Sequence, residues 1–481
     1  MMENRDISSF IDRFVKELEE ENAAVFLGAG FSVSAGFVNW KELLRPLAQE
    51  LGVNVDEEHD LVSLAQYYFN GFGRHRINQQ LITSFPVDQK PTESHLILSR
   101  LPIDTFWTTN YDRLIESALV ENGKIADVKY TVKQLATTKP RRDAVVYKMH
   151  GDIENPDSAV LIKDDYERYA LNYTPFINAL SGDLVSKTFL FLGFSFTDPN
   201  LDLILSRIRI FFDKDQRGHY CIFKKCHREE FENDNDFKIA SLKQGFVITD
   251  LKRFNIQVLL VEQYSDIKEI LTVIEKRLAR KAVFISGSAD CFGEWDSKDT
   301  ELALSILSST LIKKGYKIIT GVGIGIGNMI ISGAISQVYR ERNKSIEDHI
   351  LMRPFPQYVE SESEKEKVWD LYRRDLIKRS GIALFILGNT NDGEKINLAD
   401  GVRKEFTIAK ELGIALVPIG SSGFMAKELW NEVRISFESF YPDSSGKLKE
   451  CFEDLGKITK NPNEIISSVV NFLDQLSLEY N

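Results

Sequence analysis

The 481-residue chain has only four cysteines, Cys221, Cys226, Cys291 and Cys451, and no two of them form a CxxC pair. That scarcity excludes a disulfide framework and argues against a structural zinc site; it suits a reducing compartment in which thiols stay free. Long apolar runs are also missing, and no uninterrupted hydrophobic stretch approaches the ~20 residues of a membrane span. The first ten residues carry Glu3, Arg5 and Asp6 where a secretory signal would have an apolar stretch. A cytoplasmic protein without a membrane partner is expected. Nor is there surplus positive charge: 60 Lys and Arg face 71 Asp and Glu, a net charge of -11. A nucleic-acid partner is therefore not expected, because affinity for a phosphate backbone rests on clustered cations.

What is present is an ordinary globular composition, 43% hydrophobic and 27% charged. At about 150 residues per domain the length calls for two or three domains. Short apolar runs at Ala23 to Leu27, Thr105 to Thr108, Ala144 to Met149, Thr188 to Gly193, His219 to Phe223 and Ile256 to Val261 read as strands. Helical stretches such as Phe10 to Glu20 and Leu201 to Phe212 alternate with them, the pattern of a parallel sheet covered on both faces. Apolar residues at helical spacing from Asp266 to Arg280 predict an amphipathic helix, and a domain boundary is expected at its end. A second series of strands follows at Ala282 to Ile285, Tyr316 to Thr320, His349 to Met352, Gly381 to Leu387 and Ile414 to Pro418, with a closing helix over Pro462 to Leu478. The expected class is α/β, with two doubly wound, Rossmann-like domains spanning 1–280 and 281–481.

The first strand runs straight into Gly28-Ala29-Gly30-Phe31-Ser32. A tight turn at Gly28 and a bare backbone at Gly30 would let N–H groups approach a pyrophosphate, although a plain strand-to-helix turn also needs glycine. Three more polar segments stand at strand ends, where open α/β sheets bind ligands: Thr108 to Asp112, His150-Gly151-Asp152, and residues 193–200. An amide, an imidazole and carboxylates converging on one crevice suit a reaction that needs oriented water and proton handling. Taken singly, Asn110 also fits a helix N-cap, Asp112 a first-turn acid, and His150 a hydrogen-bonded turn histidine.

Gly28-Ala29-Gly30 with Ser32 and Ala35-Gly36, Thr109-Asn110-Tyr111-Asp112, His150-Gly151 and Gly193-Phe194-Ser195 resemble, in order and spacing, the motifs of the sirtuin-like NAD-binding family. The resemblance implies that Gly28, Ala29, Gly30 and Ser32 cradle the NAD pyrophosphate. Asn110, Asp112 and His150 would surround the nicotinamide ribose, and Gly193 and Ser195 would line the adenosine side. Protein-deacylating sirtuins carry a four-cysteine zinc module that this chain does not supply. With no zinc expected and no evident second substrate, water becomes the simplest acceptor, and NAD+ is expected as a substrate rather than a cofactor. An ADP-ribosyltransferase or deacylase, or a non-catalytic NAD sensor, are the alternatives.

In the second half, Ser286-Gly287-Ser288 follows one strand and Gly321-Val322-Gly323-Ile324-Gly325-Ile326-Gly327 follows the next. Alternating glycines allow backbone to close on phosphate, and Arg with a helix-borne Glu would complete a nucleotide site. Arg374, Arg403 and Lys404 equally fit a solvated charged face. These motifs, with Gly401 and Glu405, resemble the nucleotide-binding SLOG family. A sirtuin-like domain followed by a SLOG domain resembles the effectors of the Thoeris antiphage system. That resemblance implies an NADase activated by a cyclic ADP-ribose isomer from a TIR-domain partner, assembled as a homotetramer or larger. Signal contact carries over to Gly287, Ser288, Gly323, Gly325, Arg373 and Glu405, with Arg373 and Arg374 left open.

Overall fold

Consecutive apolar residues produce strands buried on both faces, as parallel sheets sandwiched between helices require. In the computed structural model, which describes residues 5–196, 198–212, 215–341, 345–356, 362–391, 393 and 395–480, these strands build two parallel sheets in two units, Met1–Glu275 and Lys276–Asn481. The first unit holds β1 (Ala23–Leu27), β2 (Thr105–Thr108), β3 (Ala126–Lys129), β4 (Ala144–Lys148), β5 (Thr188–Leu192), β6 (His219–Lys224) and β7 (Ile256–Val261). They pair in the order β3-β4-β2-β1-β5-β6-β7, every pair parallel. Central β1 has β2 on one side and β5 on the other, so successive crossovers leave it in opposite directions and open a crevice at the carboxyl ends of these strands.

Strand β3 carries no apolar run. Asp127 and Lys129, two apart and so on one face of the strand, are both buried and form a 2.7 Å ion pair; this charge pair hides an edge strand from a hydrophobicity reading. Between β1 and β2 the chain inserts helices at Trp40–Glu50, Leu61–Phe72, Arg74–Ser84 and Glu93–Arg100. Their Leu44, Leu47, Leu64, Tyr68 and Leu81 share one apolar cluster with Tyr111. The insert is thereby packed against the loop that follows β2.

The second unit holds β8 (Ala282–Ser288), β9 (Lys317–Thr320), β10 (Ile350–Met352), β11 (Ile382–Leu387), the antiparallel hairpin β12 (Asn389–Asn391) and β13 (Ile396–Leu398), and β14 (Ala415–Pro418). Its main sheet runs β10-β9-β8-β11-β14, all parallel, with its direction change at β8. Both units are thus doubly wound α/β domains. No helix among the described residues is long and apolar enough to cross a membrane.

Candidate functional site

At the carboxyl ends of β1, β2, β4 and β5 lies a cleft of about 930 Å³ walled by Ala29, Gly30, Ser32, Asn110, Asp112, His150, Gly193, Ser195 and Asp198, with Trp40 and Leu61 contributed by the helical insert. Gly28 stays behind the wall. A Cβ there would lie 2.4 Å from the Gly193 carbonyl oxygen, and one on Gly193, whose φ is +64°, would lie 2.0 Å from Phe31 N. The Gly30 N–H donates to the Gly193 carbonyl at 2.9 Å. The glycines are therefore required by two strand-end turns packed backbone to backbone, and the Gly30 N–H is already engaged within the protein.

Side chains cross between these turns. Asn110 Nδ2 donates to the Gly28 carbonyl at 3.1 Å and to Ser32 Oγ at 3.0 Å. Ser32 in turn donates its proton to Asp112 Oδ2 at 2.8 Å, while Asp112 Oδ1 accepts the Leu114 N–H. The relay Asp112–Ser32–Asn110 fixes which way the amide faces. Among the described residues, Asn110 Oδ1 remains buried without a hydrogen-bond partner. A buried acceptor left unsatisfied costs about 1–3 kcal/mol, and its persistence at a cleft wall is a mark of a ligand site.

His150 is buried, its ring edge-on to Tyr166 at 5.5 Å. Its Nε2 lies 3.1 Å from Asp198 Oδ2, off the axis of a good hydrogen bond. Asp198 Oδ1 accepts the N–H groups of Asn200 and Leu201, capping the helix Pro199–Phe212. Burial pushes the Asp198 carboxyl upward, but the imidazole and these N–H donors outweigh it and hold the group below its usual range. Asp198 is the carboxylate that sequence reasoning did not single out. Its signal was Asp-Pro-Asn at a helix start after a strand, which reads first as a cap.

In the second unit the glycines again serve close packing. A Cβ on Gly323 would sit 1.9 Å from the Gly287 carbonyl oxygen, and one on Gly325 (φ +78°) 1.8 Å from that of Ala289. Ser288 Oγ donates to the Asn389 carbonyl at 3.0 Å. Glu405 is buried, accepts the Ser286 hydroxyl, and stands 3.7 Å from Arg373 Nε. Burial raises its pKa against the lowering effect of Ser286 and Arg373. The Arg373 guanidinium lies over the rings of Phe355 at 5.1 Å and Trp369 at 5.5 Å, and its Nε has no hydrogen-bond partner among the described residues. The two arginines differ in setting: the Arg373 side chain is 7% exposed, whereas that of Arg374 is 43% exposed and pairs with Asp370 and Glu411. Arg374 belongs to the solvated surface.

Residues 104–241 match the model of the SIR2-like domain and residues 266–476 that of the Sir2- and TIR-associating SLOG family. The chain is 53% identical over 466 residues to "NAD(+) hydrolase ThsA" of Acinetobacter baumannii (strain 532279), covering 95% of this chain and 97% of that protein. It is 50% identical over 479 residues to the protein of the same name from Bacillus cereus (strain MSX-D12), covering 99% and 100%. Over 209 residues it is 28% identical to "Defense-associated sirtuin 2" of Bacillus subtilis, covering 40% and 20%.

Proposed function

The chain belongs to the ThsA family of NAD(+) hydrolases, and on that premise we propose that its N-terminal unit cleaves the bond between nicotinamide and ribose in NAD+ with water, releasing nicotinamide and ADP-ribose. The observation that supports this chemistry best is the buried Oδ1 of Asn110, without a hydrogen-bond partner among the described residues, in the wall of the His150 cleft. Nicotinamide carries its positive charge in NAD+ and leaves as a neutral base, so no strong acid is needed at the leaving group. The demands that remain are stabilising an oxocarbenium-like ribose and aiming one water at its anomeric carbon. Asn110 Oδ1 accepts a hydrogen bond from that water and so orients it. The water oxygen bonds to the anomeric carbon as the C–N bond breaks, and the surplus proton passes to the His150–Asp198 pair or to solvent. Asp112 acts through Ser32 by holding the Asn110 amide in one orientation.

The C-terminal unit binds the signal in this reading. A cyclic ADP-ribose isomer from a TIR-domain protein sits at the ends of β8, β9 and β11, its phosphates toward Arg373 and a ribose hydroxyl toward Glu405. The family description "TIR-associating" favours that source, and the name of the Bacillus subtilis relative favours a role in defence. The working form is a cytoplasmic homotetramer or larger assembly that depletes NAD+ on signal. The test is to follow nicotinamide and ADP-ribose released from NAD+ by the purified full-length chain, with and without a panel of cyclic ADP-ribose isomers. Release in the presence of one isomer is expected, and Asn110→Ala should lose at least about 100-fold of it while melting as a folded protein. Undiminished release by that variant would overturn the assignment.

A further inference from the structure

Two residues before His150, strand β4 ends in Lys148, whose side chain is 0% exposed. An ammonium has three N–H donors. Two of them meet the Tyr111 carbonyl at 3.2 Å and the Asp112 carbonyl, and the nitrogen stands in ion-pair range of Asp152 Oδ2 at 2.6 Å and Glu116 Oε1 at 3.2 Å. Burial works to lower the pKa of Lys148, but Glu116, Asp152 and Asp112 outweigh it and keep the group charged. Arg113 closes the cluster toward solvent, 3.5 Å from Asp152 and paired with Glu154.

A buried ion cluster of this kind is seldom the most stable way to fill a volume, since apolar residues of the same size often do as well or better. Its distinguishing feature is where the ammonium points. The two carbonyls belong to the residues directly after Asn110, and the strand that carries the ammonium presents His150. From this geometry we infer that Lys148 is a positioning residue for hydrolysis: it ties the Asn110 loop to the strand end bearing His150 and so sets the separation between the amide that orients water and the imidazole. The inference rests on the hydrolase reading. Lys148 touches no substrate; its effect is on alignment, to which rates are steeply sensitive.

The test compares Lys148→Met with the charge-balanced pair Lys148→Met and Asp152→Asn in the full chain, using nicotinamide release in the presence of the cyclic ADP-ribose panel. Both are expected to keep KM for NAD+ within about threefold and to lose about 100-fold in kcat. If the charge-balanced pair recovers wild-type kcat, Lys148 merely neutralises Asp152 and the inference fails. A raised KM at unchanged kcat also overturns it. Hydrogen exchange on the wild-type chain covers the case in which a variant does not fold. The amides of Asn110 and Leu114, donors to Thr108 Oγ1 and Asp112 Oδ1, should exchange as slowly as those of β4, and fast exchange would contradict a tethered loop. Because that measurement needs no turnover, a wild-type chain that releases no nicotinamide would sink the hydrolase reading and leave the tether to be judged by exchange alone.

Discussion

Asn110 and His150 owe their settings to groups from other strand ends: Asn110 is held by the turn after β1, and His150 faces an acid after β5. The Asp198 contact has a pH signature. An unfolded aspartate titrates near about 3.9, and Asp198 is held below its ordinary value in the folded chain. Folding therefore gains from its ionised form above the unfolded pKa, and that gain disappears as pH falls through the lower folded value. Asp198→Asn should melt below wild type at neutral pH, and the two melting curves should converge as pH falls through the lowered folded pKa. A gap that stays constant into acid would show that the contact contributes nothing through charge. At the same scale, nicotinamide release by Asp198→Asn should be reduced with NAD+ binding largely kept, since the carboxylate faces the imidazole and not the cleft's glycine turns.

The elements that carry the site are joined by turns with no room for side chains. The β1 turn and the β5 turn touch through Gly28 and Gly193, where any Cβ would collide with main-chain atoms that cannot rotate away. Gly28→Ala should destabilise the first unit by about 1–3 kcal/mol through overpacking and lower its melting temperature by several degrees. Unchanged melting with lost NAD+ affinity would instead return Gly28 to the role of a phosphate contact alone. Strand β3 teaches a different lesson about elements. Its buried Asp127 and Lys129 cancel each other's charge across one face, so a segment polar in composition becomes an edge strand with a paired backbone. Most other helix starts and strand ends fall within a residue or two of where periodicity and apolar runs place them, because those signals are local, but the helix expected from Phe10 starts at Arg5 and the strand expected to end at Ile285 runs on to Ser288. The β12–β13 hairpin is polar and exposed at most of its positions, and a hydrophobicity reading passes over it.

For the whole molecule, the proposed activation of hydrolysis in one unit by a signal bound in the other would link the two thermodynamically, whatever the route. An isomer that favours the active form must bind that form more tightly, and by whatever factor it tightens NAD+ binding, NAD+ must tighten the isomer by the same factor. Arg373→Ala should abolish activation by the isomer, whereas Arg374→Ala should leave it within about threefold of wild type, because a solvated ion pair contributes little. Equal loss in both variants would undo the assignment of Arg373 as the phosphate partner. The alternation of short apolar strands with helices, the glycine turn after β1, the glycine loop after β9 and the polar residues at strand ends are all legible along the chain. Each is a short-range pattern that depends only on residue type and spacing. Ser286-Gly287-Ser288, expected to follow the first strand of the second half, instead lies inside β8 and pairs with β11. Which groups meet is not legible in that way. That Asp198 faces His150, that the Gly30 N–H turns to Gly193, that Arg373 and not Arg374 reaches Glu405, and that Lys148 holds the carbonyls of Tyr111 and Asp112 all follow from strand order. Parallel pairing brings turns far apart in the chain to within hydrogen-bond distance, and no local periodicity carries that distance.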